Sequence, residues 1–427
     1  MPRLARDRIT WLTYAQLGLW GFFLYGFGPV VPLLRDEQGT SAAVAGLHST
    51  GIAVGALAGG ALFAPVARRF GRGAAIWLGL AGVAAGVTAL GLLRPLPATL
   101  AAVALIATFG MMVVSGVSVV LTARHGPAAP AALTEANAAC AGMGILAPLT
   151  IGASVDAGLG WRPLMAVEVG LITLVALAAL TFRVRGPRRA PAVAAAGAPV
   201  LVAASTRVPA VPASVASEAA VPAPASEVPI SGVRSSSGRL PRAYWIAWVL
   251  MSVTGSIEVC LSLWTADVLR THAGLSAGGA SAAVAAIVCG MFAGRLAGGR
   301  AALRWAPVPL LLGALTVSLA GFALFWGSTV GWLAVTGLVV LGLGNALHYP
   351  LAISIALAVA GPAADKAAGW SAYSMGVGFG IAPVALGWVA DGVGPHPAFL
   401  LLPAFIAVAV LLAVRLGRAL PAPVRAA

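Results

Sequence analysis

Charge is what this 427-residue sequence has least of: only 9% of its residues are Asp, Glu, Lys or Arg, and a single lysine, Lys366, occurs among them. Soluble domains carry roughly a quarter of their residues charged, so a water-exposed surface of ordinary size is excluded. The three cysteines, Cys140, Cys260 and Cys289, lie inside apolar runs with neither metal-ligand spacing nor a paired framework. They read as small packing residues, and no metal site or cofactor is expected. A Gly-x-x-x-x-Gly-Lys nucleotide loop is missing, as is any Ser/His/Asp or metal-ligand cluster. Enzymatic chemistry and direct ATP use are thereby set aside.

What is present is apolar sequence, 60% of residues, with a mean hydropathy of +0.97. A bilayer core about 30 Å thick needs about 20 apolar residues per spanning helix, and such runs fill most of the chain. The expected class is all-α, a polytopic membrane protein whose outer surface meets the lipid bilayer. The net charge of +14 does not point to nucleic acid, because the arginines sit at helix ends and form no basic stripe with interleaved aromatics.

The segment Pro148-Leu-Thr-Ile-Gly152-Ala-Ser-Val-Asp156 returns in skeleton as Pro383-Val-Ala-Leu-Gly387-Trp-Val-Ala-Asp391, 235 residues later. The same offset relates Gly126-Pro127 to Gly361-Pro362, Arg35 to Arg270, Ser41 to Ser276, Gly55 to Gly290, Gly59 to Gly294 and Arg69 to Arg304. Repeated architecture of this kind is common in membrane transporters. Two halves are expected, residues 1–185 and 242–418, with a linker at 186–241 and a tail at 419–427. The linker is rich in Ala, Pro, Val and Ser and has no aromatic residue before its end, the composition of a disordered cytoplasmic segment.

Twelve helices are expected: about 9–34, 41–67, 74–93, 97–123, 135–157 and 161–183, then 243–269, 276–300, 309–326, 331–360, 366–390 and 397–416. With both ends inside, 21 of the 26 Lys and Arg residues fall on the cytoplasmic side and four outside, Arg35, Arg94, Arg162 and Arg270. Arg295 lies within a helix. A thirteenth span drawn through the linker would reverse this bias, against the positive-inside rule.

Gly51, Gly55 and Gly59 recur at four-residue spacing in the second helix, which permits close helix contact. In the first, Tyr14, Gly18, Gly21 and Tyr25 share one face; Tyr14 reads as packing and Tyr25, deeper in, as a cavity residue. Thr108, Met111, Ser115, Ser118 and Thr122 form a mildly polar stripe on the fourth helix. Ser115 could line a cavity, although hydroxyls also bond back to their own helix. His48 reads as a satisfied histidine, and Glu168 as an interfacial or structural acid.

Glu258 is near mid-membrane on the seventh helix, with Thr254, Ser262 and Thr265 on its face. A charge there costs about 2.5–3.5 kcal/mol even on lenient insertion scales, so the carboxyl must pair with a cation or carry a proton. On the tenth helix Asn345 and His348 sit one turn apart on one face; His348 reads either as a satisfied hydrogen-bonder or as a potential partner of the Glu258 carboxyl. Arg295 is one turn from the inner end of the eighth helix. It can snorkel to the surface. Asp156 and Asp391 are expected to cap the outer ends of their own helices, five and eleven.

The loop Arg68-Arg69-Phe70-Gly71-Arg72 between the second and third helices resembles the Gly, acid, Arg-x-Gly-Arg loop of the major facilitator superfamily. Arg69, Gly71 and Arg72 match; Arg68 stands where the acid would be and Ala64 where the leading Gly would be. The Gly- and Pro-rich fifth helix and Trp161-Arg162 at the start of the sixth are similar too, and Ile106 replaces an arginine that proton-driven drug exporters of the family carry. The resemblance implies two pseudo-symmetric six-helix bundles, helices one, four, seven and ten around a central cavity, alternating access, and a cytoplasmic gate at Arg68, Arg69, Gly71 and Arg72. It also implies a use for Arg295, since monocarboxylate-type members hold an anionic substrate near such an arginine; the acid they carry one turn earlier is Met291 here. The expectation is a monomeric, proton-coupled secondary transporter of a small organic solute in the cell membrane, with Glu258 and His348 handling protons. Tyr25, Ser115, Ser262, Asn345 and Arg295 are the expected cavity residues. Efflux of an amphipathic compound and uptake or exchange of an organic anion both fit, and a transporter-like sensor is the alternative of another class.

Overall fold

The computed structural model of the chain describes residues 4–182, 240–302, 304–360 and 364–419. The expected linker falls almost wholly outside these residues, as do the Gly361-Pro362 turn and positions 420–427. Among the described residues there is no strand, and twelve helices are long and apolar enough to cross a bilayer. In the first half these are α1 (Arg8–Gln38), α2 (Ala42–Phe70), α3 (Arg72–Leu92), α4 (Leu96–His125), α5 (Ala129–Asp156) and α6 (Pro163–Thr181). In the second they are α7 (Arg242–His272), α8 (Ala277–Ala283) continuing as α9 (Ala285–Ala301), α10 (Pro307–Gly327), α11 (Gly331–Ala360), α12 (Ala364–Val393), and α13 (Pro395–Ala398) continuing as α14 (Leu401–Ala419).

The joints have local causes. The eighth span tightens at Val284, whose N–H bonds to the Ser281 carbonyl at 3.3 Å, three residues back rather than four. Between α2 and α3 the chain turns at Gly71, φ +91°, a left-handed value for which glycine is the economical residue. The fifth helix begins at Ala129, earlier than expected, because a short 3₁₀ turn over Gly126–Ala128 lets Pro130 sit in its first turn.

The internal repeat is visible in packing. Gly55 and Gly59 of α2 lie against the Ala104 and Thr108 carbonyls of α4; shifted by 235, Gly290 and Gly294 of α9 lie against the Val339 and Leu343 carbonyls of α11. A Cβ at any of these positions would collide with backbone, so small residues are required for the helices to approach this closely. Each half is thus built by the same contacts.

Successive spans alternate in direction, so the helix ends form two faces. One bears Arg8, Phe70, Arg242 and Ala419 and is called here the terminal face; the other, bearing Gln38, Asp156, His272 and Val393, is the far face. On the far face the halves are sewn together. Arg35 of α1 pairs with the buried Asp267 of α7, and Arg270 of α7 pairs with Asp36 of α1 at 2.8 Å, the two repeat-related arginines exchanging partners. The space left there beside Pro32, Leu33 and Ala266 is about 10 Å³, no more than one water requires. On the terminal face, hydrogen bonds within each half include Arg6 to Glu135 and Tyr244 to the Ala367 carbonyl. A cavity of about 710 Å³ opens there along α1 and α5, beside Trp11, Tyr14, Glu135 and Ala139.

One expectation is corrected here. Asp156 and Asp391 do not cap α5 and α12. Asp391 accepts from the Ala42 and Ala43 N–H groups at the start of α2, at 2.6 and 3.0 Å, and Asp156 accepts from the Ser276 hydroxyl, which precedes α8, at 3.1 Å. A carboxylate has no proton to give the carbonyls at its own helix end, and the helix dipole there repels it; the start of another helix attracts it.

Candidate central site

Tyr25 is carried on α1, and Gly144 of α5 leaves the space its ring occupies. Gly21, one turn earlier on α1, packs on Cys140 of α5 in the same manner. These glycines bring the two helices together with Tyr25 and Cys140 side by side. From the other half, Arg295 of α9 crosses to this pair: its guanidinium is in polar contact with the Tyr25 hydroxyl and within electrostatic range of Cys140 and of Glu258 on α7. Tyr349 of α11 lies within electrostatic range of Glu258.

The cluster is enclosed but not closed. Glu258, Tyr25 and Arg295 are largely surrounded by protein, yet each keeps part of its surface open. Arg295 Nε and the Tyr349 hydroxyl are buried without a hydrogen-bond partner. Buried polar groups are nearly always satisfied; these two donors, both within electrostatic range of Glu258, are exceptions, as are Asn345 Oδ1 and His348 Nδ1. Ala139, on the wall of the terminal-face cavity, directly precedes Cys140.

His348 and the remaining expected cavity residues have their own neighbours. His348 is buried, and its Nε2 meets the Ser318 hydroxyl on α10 at 3.1 Å. One residue turns a helical side chain by about 100°, so Tyr349 faces Glu258 where His348 was expected. Asn345 points at α9, its Nδ2 lying 3.8 Å from Met291 Sδ. Ser262 sits at the α1–α7 crossing against Gly28, and Ser115 is buried on α4. Arg295 does not snorkel outward.

Residues read as structural are satisfied as such. Thr108 bonds back to the Ala104 carbonyl at 2.8 Å, Tyr14 donates to Glu135 at 3.1 Å, and His48 bonds Thr99 and the Ala45 carbonyl. Trp161 and Arg162 both hold Glu37, at 3.2 and 2.6 Å. Glu168 is the exception: it is fully buried on α6 rather than interfacial, and neither carboxyl oxygen has a partner. Among the described residues no group of His, Cys, Asp and Glu is arranged to hold a metal ion.

The sequence profile described as Major Facilitator Superfamily matches residues 16–364, most of the chain. The chain belongs to the Major Facilitator Superfamily. Among curated proteins, no sequence matches it. Solved structures of the superfamily share its fold. A bacterial homologue of the human lysosomal transporter Spinster, inward-facing and unoccupied, aligns with TM-score 0.71 at 14% identity, over 97% of each chain. A mutant of the nucleoside transporter NupG aligns with TM-score 0.70 at 13% identity, over 97% of this chain and 99% of that one. A D-xylose–proton symporter gives 0.68 at 15%, over 97% of each. The protein is therefore a membrane transporter of the superfamily and not an enzyme.

Proposed function

We propose that this transporter moves a small organic anion in company with a proton, by alternating access around the Tyr25, Glu258, Arg295 and Tyr349 cluster. The observation that carries the reading is Arg295, a cation from one half that reaches a tyrosine of the other half beside a membrane-embedded acid. Without solute, Arg295 and Glu258 balance each other's charge. An arriving carboxylate competes for the guanidinium, whose fork suits it, and the idle Tyr349 hydroxyl supplies a further donor. Glu258, deprived of its cation, then takes up a proton, because an unpaired charge at this depth is costly. One solute and one proton thus share a single switch.

The terminal face is taken as cytoplasmic, since most Arg residues lie there, and the membrane as the cell membrane. The sealed far face then makes this an inward-facing state. Arg68, Arg69, Gly71 and Arg72 lie on the terminal face and are assigned to the gate that closes when the far face opens. Direction, uptake or efflux, follows the solute and proton gradients across a monomer.

Competition binding tests the reading. Purified protein is mixed with small monocarboxylates and with their neutral amides, and thermal stabilisation is measured. Carboxylates should stabilise the wild type while amides do not, and Arg295→Ala should abolish the difference. Equal stabilisation by acid and amide would overturn the anion assignment.

A further inference from the structure

The repeated skeleton of Pro148, Gly152 and Asp156 and of Pro383, Gly387 and Asp391 takes no part in the central site, yet its members lie where the halves meet on the far face. Gly387 lies against the Ala42 carbonyl of α2, and Gly152 against the Gly278 carbonyl of α8. The absent side chains let each helix end touch the first turn of a helix in the other half. From there Asp391 caps α2 and Asp156 grips Ser276. Ser41 and Ser276, themselves related by the 235-residue offset, are the cap residues of the two helices, accepting from Val44 and Gly279 N–H groups.

The two crossings are not equal. Asp391 takes two backbone N–H groups, whereas Asp156 takes one hydroxyl. Pro383 has no N–H to give the Phe379 carbonyl one turn earlier, and Ser49 of α2 donates to that carbonyl at 2.5 Å; Thr50 donates to the next, Gly380, at 2.6 Å. The α2–α12 crossing is therefore stitched at four points over two turns. Among the described residues, the α5–α8 crossing has the single Ser276 to Asp156 bond.

We infer that Asp391 and Asp156 are positioning residues of the transport cycle, unequal catches that hold the far face shut, Asp391 the stronger, so that opening begins at the α5–α8 crossing. The inference follows from the two crossings and holds whatever the solute is. The chain itself supplies the asymmetry through Ser49 and Thr50. Their counterparts at the 235-residue offset are Val284 and Ala285, which have no hydroxyl to donate.

Cysteine accessibility tests it. In a background carrying Cys140→Ala, Cys260→Ala and Cys289→Ala, one reporter is placed on the far face by Ala266→Cys, beside the sealed space, and in a separate protein another on the terminal face by Tyr373→Cys, which is half exposed. Alkylation by N-ethylmaleimide is timed in detergent. Asp391→Ala should speed labelling of the far-face reporter at least tenfold and slow that of the terminal-face reporter. Asp156→Ala should move both in the same directions by about two- to threefold, and Asp391→Glu should restore part of the wild-type pattern. Faster labelling at both reporters would mean loosened folding, unchanged rates in Asp391→Ala would mean no catch, and a larger effect of Asp156→Ala would reverse the order. Each of these outcomes overturns the inference.

Discussion

The far-face crossings and the central cluster are built from similar polar groups and treat them in opposite ways. At the crossings the polar groups that join the halves are paired: backbone N–H groups meet Asp391, hydroxyls meet carbonyls, and Arg35 and Arg270 meet Asp267 and Asp36. In the cluster, Arg295 Nε and the Tyr349 hydroxyl have none. A satisfied contact stabilises one arrangement of the two halves. An unsatisfied one makes the arrangement dependent on what arrives. The difference separates residues that hold a state from residues that recognise a solute, and substitutions should divide along the same line.

The largest effect is expected where bulk would hold the two halves apart. Gly387→Leu places a side chain against the α2 backbone at the crossing; the far face should no longer close, and transport should be lost with the protein still inserted, as checked by flux in vesicles against membrane abundance. Next comes Arg295→Ala. Hydrogen bonds to a charged group are worth about 1.5–3 kcal/mol, so affinity for the anion should fall about 10- to 100-fold in a binding titration while the far-face reporter labels as in the wild type. A change in labelling without a change in affinity would erase the distinction between the two regions.

Glu168 sharpens the comparison, because it is unsatisfied yet belongs to neither region. No solute reaches a side chain fully buried on α6, so its bare oxygens are a structural cost. Glu168→Leu should raise stability by about 1–3 kcal/mol, the usual cost of an unbonded buried polar group, measured as a higher melting temperature, with proton flux unchanged. Ser49→Ala should give the smallest effect. It removes one neutral hydrogen bond of about 1 kcal/mol, and far-face labelling should rise no more than several-fold.

Much of this was legible before any geometry. Span number followed from apolar runs and the halves from the 235-residue repeat, because both depend on composition and spacing alone. Glu258 and Arg295 stood out because ionisable residues are rare at membrane depth. Tyr349 and Cys140 did not: they are unremarkable in an apolar run, and a helix apolar on all sides gives no signal of which side faces the cavity. That same missing signal put His348 one residue's rotation away from its expected place, on Ser318. The partners of Asp156 and Asp391 were hidden for another reason, since a cap across two halves joins residues 120 and 349 apart in sequence. A hint was present nonetheless, because an Asp at the carbonyl end of a helix is electrostatically misplaced unless a second helix begins beside it.

The most direct test of the account is proton flux. Protein is reconstituted in liposomes with a trapped pH dye, and small organic anions are added to wild type and to Glu258→Gln. The account predicts anion-dependent acidification or alkalinisation in the wild type and none in the variant, with anion binding retained. Equal proton flux in both proteins would show that Glu258 does not couple the proton, and the proposed switch between Glu258 and Arg295 would fall with it.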